Sequence, residues 1–175
     1  AIEEMLYEGI TVNITLLFAL EDYENVAQAY IRAVERRLAA GKPVNNVASV
    51  ASFFLSRIDV LVDQLLGHRL RPGLPNENAT RCEQLLGKVA IANAKLTYQR
   101  YKEIYRGARW QALAAKHAQT QRLLWASTST KNPAYRDVIY VEELIVRDTV
   151  DTVPTATFDA FRDHGRARAS LEEHL

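Results

Sequence analysis

Four short apolar segments separated by longer helical patterns are the feature that most constrains the fold of this chain. The segments lie at residues 10–18, 47–55, 123–127 and 149–153. Because successive parallel strands need a long crossover connection, usually a helix, this alternation predicts an α/β fold with a parallel sheet. Four such units in 175 residues suit a small open sheet or half of a (β/α)8 barrel, since a whole barrel typically takes about 250 residues.

The helical segments are bounded by recognisable start and stop residues. Gly9 and Gly165 predict the ends of two helices, and Thr80 with Glu83 has the spacing of a capping box before a long helix. Two prolines and a glycine predict a surface loop over residues 71–78. The predicted helices span residues 2–8, 21–40, 58–66, 80–106, 110–117, 138–144, 155–164 and 166–175.

Residues 10–18 alternate between the two faces of a strand. Every even position is apolar, whereas the odd positions include Asn13, Thr15 and Leu17. Side chains two residues apart in a strand lie on the same face. The pattern therefore predicts that Asn13 and Thr15 share one side of the strand and that Leu16 lies on the apolar side.

The composition excludes several classes of protein and site. The formal net charge is +1, so charge gives no reason to expect nucleic acid or an anionic membrane as a partner. No apolar run approaches the roughly 20 residues of a membrane helix, and no signal-peptide pattern opens the sequence. The single cysteine, Cys82, cannot form an internal disulfide, and the four histidines lack metal-ligand spacing. We therefore expect a cytoplasmic protein without a metal site.

Polar side chains follow the ends of all four predicted strands. Functional groups gather at the C-terminal ends of parallel strands, so these side chains predict one polar pocket. Two of them are cations, Arg57 and Lys131, and they suit an anion such as a phosphate. Simpler interpretations are that Arg57 pairs with Asp59 or Asp63, that residues 127–131 form only a turn, and that the first strand's polar residues merely face solvent. The strand-end residues are Asn13, Thr15, Ser52, Phe54, Arg57, Ser127, Thr128, Ser129, Thr130, Lys131, Asp151, Thr152 and Thr155.

Six strings of this sequence carry a resemblance to a known family, namely GITVNITLLF at 9–18, VASVASFFLSRID at 47–59, AIANAKL at 90–96, LWASTSTKNP at 124–133, TVDTVP at 149–154 and DHG at 163–165. They resemble the transaldolase family, in the order that the family has them and over nearly the whole chain. The resemblance is closest to a longer bacterial branch, some members of which are fused to a phosphoglucose isomerase domain.

The resemblance implies a (β/α)8 barrel, of which residues 1–175 would be the C-terminal half, strands five to eight, a single-domain fragment without its N-terminal half. It implies transfer of a dihydroxyacetone unit between sugar phosphates in the pentose phosphate pathway. The reaction converts sedoheptulose 7-phosphate and glyceraldehyde 3-phosphate into erythrose 4-phosphate and fructose 6-phosphate. A lysine Schiff base acts as the electron sink, so the family needs no metal or organic cofactor.

The resemblance also implies roles for residues near the reacting carbon atoms. Asn13 would hold the hydroxyls of the bound three-carbon unit, and Thr15 would bind the water that relays protons. Ser52 and Phe54 would shape the wall of the pocket. These roles make Asn13 and Thr15 the expected catalytic residues of this chain.

Three further residues match the part of the family that binds the substrate phosphate. Arg57 would bind the phosphate directly, and Ser127 matches the serine of the family's phosphate loop. Lys131 lies where other branches carry an arginine, and its place after a strand suits phosphate binding. Sugar phosphates are thus the expected partners, together with a possible fused or associated phosphoglucose isomerase domain.

The Schiff-base lysine is the main departure from the family pattern. In the family it lies on the strand just before the helix that opens this sequence, with an essential aspartate and the carboxylate base earlier still. Lys95 lies in the middle of a predicted helix and is expected to be a surface lysine. The chain alone is therefore expected to be inactive. Two alternatives are a non-catalytic sugar-phosphate-binding or assembly module derived from such a barrel, and a different α/β enzyme with an open sheet.

Overall fold

The computed structural model describes residues 1–71 and 78–174. Most of the predicted surface loop at 71–78 lies outside the described residues. The described elements, in chain order, are α1 (Ile2–Tyr7), β1 (Val12–Leu17), α2 (Leu20–Ala39), β2 (Ser49–Phe54), α3 (Ser56–Arg69), α4 (Ala79–Leu85), α5 (Val89–Arg106), α6 (Ala108–Ala114), β3 (Arg122–Ala126), α7 (Ile139–Glu143), β4 (Thr149–Asp151) and α8 (Thr155–His164).

The four strands form one sheet in the order β1-β2-β3-β4. Strands β1 and β2 pair in parallel, with Val12 opposite Ser49 and Ile14 opposite Ala51. Helices connect each strand to the next, which confirms the predicted α/β class with a parallel sheet. Sequential strand order is that of consecutive barrel strands, whereas doubly wound sheets reverse the order at a switch point. The fold is therefore that of a partial (β/α)8 barrel.

Strand β1 departs from the predicted alternation because it contains a bulge. Ile14 pairs with Ala51 and Leu17 with Phe53, so three steps along β1 match two steps along β2. Leu16 takes up the extra step with φ of 63° and is 53% exposed, whereas Leu17 is buried. The prediction for Leu16 is therefore wrong, since a bulge moves the following residue to the opposite face.

The predicted long helix over residues 80–106 is two helices, α4 and α5. Gly87 separates them with φ of +67°, and a Cβ on it would lie 2.7 Å from a ring carbon of Tyr135. The amide of Gly87 donates to Asp63 Oδ1 at 2.9 Å, so a contact distant in sequence fixes the turn. Thr80 does not cap this helix as the capping box predicted. The N-cap residue of α4 is Asn78, and it makes no side-chain cap.

The chain after α8 is the other departure, since residues 166–174 form no helix. Ser170 is buried and its hydroxyl donates to the carbonyl of Glu142, while the amide of Leu171 donates to the carbonyl of Ile145 at 3.3 Å. These bonds replace the helical hydrogen bonds that the local pattern predicted. No helix in the described ranges combines the length and the apolar character needed to cross a membrane.

The chain divides into two compact units. The first comprises residues 1–53, 96–124 and 148–150 and has an aromatic core that includes Tyr30 and Trp110, with ring centroids 5.9 Å apart. Within it, buried Gln121 donates to Ser49 Oγ at 2.8 Å, and Ser49 donates to the carbonyl of Val12 at 2.9 Å. The second unit comprises residues 54–95, 125–147 and 151–175, of which 72–77 and 175 are not described.

Candidate functional site

In the first unit, the structure joins two of the predicted site residues. Ser52 is 2% exposed, and its hydroxyl donates to Asn13 Oδ1 at 2.6 Å. This bond orients the carboxamide and leaves its Nδ2 group, which carries two donors, available to a ligand oxygen. Asn13 and Thr15 are both exposed, as the alternation on this part of β1 predicted.

In the second unit, hydroxyl groups cluster where β2 and β3 end. Ser127 follows β3 directly, and its Oγ lies 2.9 Å from Ser56 Oγ at the start of α3. The amide of Ser56 also donates to the carbonyl of Ser127 at 3.1 Å. Ser127 has φ of 58°, a conformation that costs free energy in residues other than glycine and is common at functional sites. The strand end and the helix start are thus fixed to one another.

A half-buried aspartate, Asp151, lies at the end of β4 in the same unit. Thr128 is fully buried, and its hydroxyl donates to Asp151 Oδ1 at 2.8 Å. Burial raises the pKa of Asp151 from 3.8 to about 6, and the hydrogen bond from Thr128 opposes that rise. Asp151 therefore changes its charge closer to neutral pH than an ordinary aspartate, which suits a group that exchanges protons.

Arg57 is exposed and stacks on Phe54, with its guanidinium carbon 5.2 Å from the ring centroid. It is the second residue of α3, and the N-cap residue Leu55 makes no side-chain cap. The positive end of the helix dipole and the guanidinium thus attract an anion to the same place.

The simpler interpretation, in which Arg57 pairs with Asp59 or Asp63, does not hold. Asp59 accepts hydrogen bonds from the amide of Ala90 and the hydroxyl of Tyr140, at 2.8 and 2.7 Å. Asp63 accepts from the amide of Gly87 and the hydroxyl of Tyr135, at 2.9 and 2.7 Å. Within the described ranges, Arg57 has no ion pair.

Lys131 is exposed in the loop after β3, and its ammonium donates to Ser129 Oγ at 2.6 Å. It lines a cavity of about 400 Å³ together with Asp59, Asp63 and Tyr135. The loop also contains ordinary turn contacts, such as the amide of Ala134 donating to Asn132 Oδ1 at 3.0 Å. The loop thus contains the hydrogen bonds of an ordinary turn, and it also carries an exposed cation, Lys131.

The site residues that sequence reasoning left without a role are Ser56, Thr128 and Asp151. Thr128 and Asp151 had been recognised as polar residues after strands, but nothing in the pattern showed that they contact one another. Ser56 directly follows the predicted strand at residues 47–55. That position was the available signal for Ser56.

The histidines and the single cysteine are the remaining candidates for site chemistry in this sequence. Residues 1–71 and 78–174 contain no group of three or more histidine, cysteine or acidic side chains able to hold a metal ion. Cys82 is a buried free thiol. His164 contacts Asp137 and Asp163, at 2.9 and 3.0 Å, and the hydrogen bond that its ring donates to the Asp137 carboxylate is the main cause of its raised pKa.

Comparison with known proteins identifies the family. The model of the family "Transaldolase/Fructose-6-phosphate aldolase" matches residues 1–175. "Transaldolase 2" of Nostoc punctiforme is 54% identical over 173 residues, which cover 98% of this chain and 45% of that protein. "Transaldolase" of Trichodesmium erythraeum is 54% identical over 164 residues, covering 94% of this chain and 43% of that protein.

A third relative extends the match beyond these two organisms. "Transaldolase" of Frankia alni is 50% identical over 168 residues, covering 96% of this chain and 43% of that protein. The chain thus spans less than half the length of these curated relatives. The match to the family model nevertheless covers every residue of the chain. The chain belongs to the transaldolase/fructose-6-phosphate aldolase family.

Proposed function

We propose that this chain is the C-terminal half, strands five to eight, of a transaldolase of the longer bacterial branch. The whole protein would transfer a dihydroxyacetone unit from sedoheptulose 7-phosphate to glyceraldehyde 3-phosphate in the cytoplasm. The observation that carries the proposal is the agreement between the family match and the polar residues at the strand ends. A phosphoglucose isomerase domain, fused or associated, remains a possible partner.

Asn13 and Thr15 would act on the three-carbon part of the substrate. Because Ser52 donates to Asn13 Oδ1, the Nδ2 group of Asn13 can donate to a substrate hydroxyl without changing its orientation. Thr15, exposed on the same strand, would hold the water that relays a proton to and from the substrate. Phe54 would form an apolar part of the pocket wall.

The second unit would bind the substrate phosphate. Arg57 is exposed at the start of α3 and has no ion pair within the described ranges. The hydroxyl of Ser127, which is hydrogen-bonded to the buried Ser56, would supply a further donor, and Lys131 would add a second cation. Guanidinium groups and helix N-termini both bind phosphate readily in proteins.

The covalent step would use a lysine outside these residues. Lys95 lies within α5, and its ammonium donates to the carbonyl of Glu173, so it is committed to a structural contact. Lys131 is exposed and hydrogen-bonded to Ser129, whereas a Schiff-base lysine has to be desolvated to lose its proton near neutral pH. Neither lysine therefore has the environment that the chemistry requires.

The test is borohydride trapping of the complete protein with fructose 6-phosphate, followed by peptide mapping. The expected result is one three-carbon adduct on a lysine that lies outside these 175 residues. An adduct on any lysine of this chain, Lys95 and Lys131 included, would contradict the assignment. Phosphate binding without any adduct would instead favour the non-catalytic sugar-phosphate-binding module.

A further inference from the structure

A cavity of about 480 Å³ lies in the first unit and shares no lining residue with the candidate site. Its volume is in the range of small-molecule pockets. One wall is a single face of α5, formed by residues at i, i+3, i+4, i+7 and i+8. They are Tyr98, Tyr101, Lys102, Tyr105 and Arg106, and the remaining lining includes Arg122 and Asp148.

The tyrosines make this wall rigid. Tyr98, Tyr101 and Tyr105 are all at least nine-tenths buried. The rings of Tyr98 and Tyr101 stack with centroids 5.6 Å apart, and those of Tyr101 and Tyr105 lie 5.0 Å apart. Tyr105 also contacts Trp110 edge to face at 4.9 Å. Interlocked aromatic rings hold the cavity in a preformed shape, which reduces the entropy that a ligand loses on binding.

Three cations and one carboxylate line the cavity. Lys102 lies with its ammonium 5.2 Å from the ring centroid of Tyr98. Arg106 and Arg122 are exposed, and within the described ranges neither forms an ion pair or a hydrogen bond through its side chain. Arg109, only three residues after Arg106, pairs with both carboxylate oxygens of Glu35 at 2.7 Å. The guanidiniums of this cavity therefore lack the carboxylate partner that a structural arginine nearby has.

We propose that this cavity binds a small phosphate ester that also carries free hydroxyl groups. The guanidiniums of Arg106 and Arg122 can each donate two parallel hydrogen bonds to phosphate oxygens. Asp148 has only acceptors when ionised, so it selects a ligand with a hydroxyl donor and repels one that is anionic throughout. Phosphorylated sugars and nucleotides both have this chemistry, and the proposal does not depend on the proposed catalytic function.

The experiment is isothermal titration calorimetry on the complete protein with four probes, namely inorganic phosphate, ribose 5-phosphate, adenosine 5′-monophosphate and unphosphorylated ribose. Arg106→Gln and Arg122→Gln each remove one guanidinium from an exposed position, so both variants should fold. Arg81→Gln, at an exposed position on α4 outside the cavity, is the matched control. Melting temperatures of all variants check that the fold is intact.

The expected result is that at least one phosphate ester binds the wild-type protein and that ribose does not. Arg106→Gln and Arg122→Gln should each weaken that binding at least tenfold, whereas Arg81→Gln should change it less than twofold. Tighter binding of adenosine 5′-monophosphate would make the ligand a nucleotide, and tighter binding of ribose 5-phosphate would make it a sugar phosphate.

Two results would overturn the proposal. One is the absence of phosphate-ester binding at millimolar concentration. The other is binding that Arg57→Ala abolishes and both cavity variants leave unchanged, since the ester would then occupy the candidate site alone. Either result leaves the borohydride test of the proposed function unaffected, so the two proposals can fail separately.

Discussion

Helices α2 and α3 each follow a strand, but different interactions hold them. Helix α2 buries eight residues, of which all except Arg37 are apolar or aromatic. Helix α3 buries only Ser56 and Asp59, and it leaves Val60, Leu61 and Leu65 between 48% and 58% exposed. Helix α2 is therefore held mainly by the hydrophobic effect and α3 mainly by hydrogen bonds.

The polar contacts of α3 lie on one face, at Ser56, Asp59 and Asp63. Each of these residues is hydrogen-bonded within the second unit, to Ser127, Tyr140 and Tyr135 among others. Hydrogen bonds depend on direction, so they fix the rotation and the axial position of a helix more closely than apolar contact does. Hydrogen bonds therefore fix the position of α3, although few of its side chains are buried. A fixed position suits the helix that carries Arg57.

The largest effect should come from emptying the α2 core. Tyr30 is fully buried, and its hydroxyl donates to the carbonyl of Gln119 at 2.5 Å. Tyr30→Ala should lower the free energy of unfolding by about 4 kcal/mol, measured by urea denaturation, because it leaves a large cavity. Tyr30→Phe is the control and should lose about 1 kcal/mol, the value of one hydrogen bond. A loss below about 2 kcal/mol for Tyr30→Ala would refute the apolar account of α2.

The next effect concerns the half-buried Asp151, which lies in the same unit as α3. The folded-state pKa of Asp151 is raised to about 6, so its stability contribution is full below pH about 4 and is lost as the pH rises through about 6. Asp151→Asn should therefore be more stable than the wild type at pH 7, by up to about 3 kcal/mol, and equal to it at pH 4. Equal stabilities at both pH values would contradict the raised pKa.

Asp59→Ala should break the polar attachment of α3. It leaves the amide of Ala90 and the hydroxyl of Tyr140 without their acceptor, at a cost of about 2 kcal/mol. Asp59→Asn keeps an acceptor oxygen and should cost less than about 1 kcal/mol in the same urea titration. If Ala and Asn prove equally harmful, the hydrogen bonds are not what positions the helix.

Arg57→Ala tests what α3 is positioned to do. In the complete protein it should raise the apparent KM for fructose 6-phosphate about tenfold or more, because one guanidinium–phosphate interaction is lost. Stability should stay within about 0.5 kcal/mol, since Arg57 is exposed. Arg81→Ala is the matched control, and an unchanged KM for Arg57→Ala would remove this residue from the phosphate site.

The smallest effect should come from the exposed apolar residues of α3. Leu65 is 57% exposed, so Leu65→Ser should change the free energy of unfolding by less than about 0.5 kcal/mol. Thermal denaturation of the complete protein measures this change. A loss above about 1 kcal/mol would mean that other residues cover this face. Helices α2 and α3 would then differ less in the apolar surface that they bury.

Strand and helix positions could be predicted from the sequence because their signals are local. Alternation and helical spacing placed all four strands, and the parallel α/β class followed from their order. The division of the predicted helix 80–106 could not be predicted, because the turn at Gly87 depends on Tyr135 and Asp63. The chain after α8 departs for the same reason, since Glu142 and Ile145 supply its hydrogen bonds.

In the candidate site, the residue types could be predicted from the sequence, but the contacts between them could not. Residue type and position in or directly after a strand singled out Asn13, Ser52 and Arg57 as candidates, and the structure adds the contact between the first two. Thr128, in the loop after β3, contacts Asp151 of β4, which is 23 residues away in sequence, and no local pattern encodes a contact over such a separation. The sequence alone therefore did not show which polar side chains hydrogen-bond to one another.

The bulge in β1 has a consequence for comparing this strand across the family. The extra residue shifts the parity of the strand, so the even-numbered Ile14 is buried before Leu16 and the odd-numbered Leu17 is buried after it. A homologue lacking this one residue would keep Asn13 in register with β2, and its counterpart of Leu17 would still pair with that of Phe53 and face the core. Gaps in this strand are therefore best placed at residues 15–16, where a single deletion restores an unbroken alternation rather than disrupting the sheet.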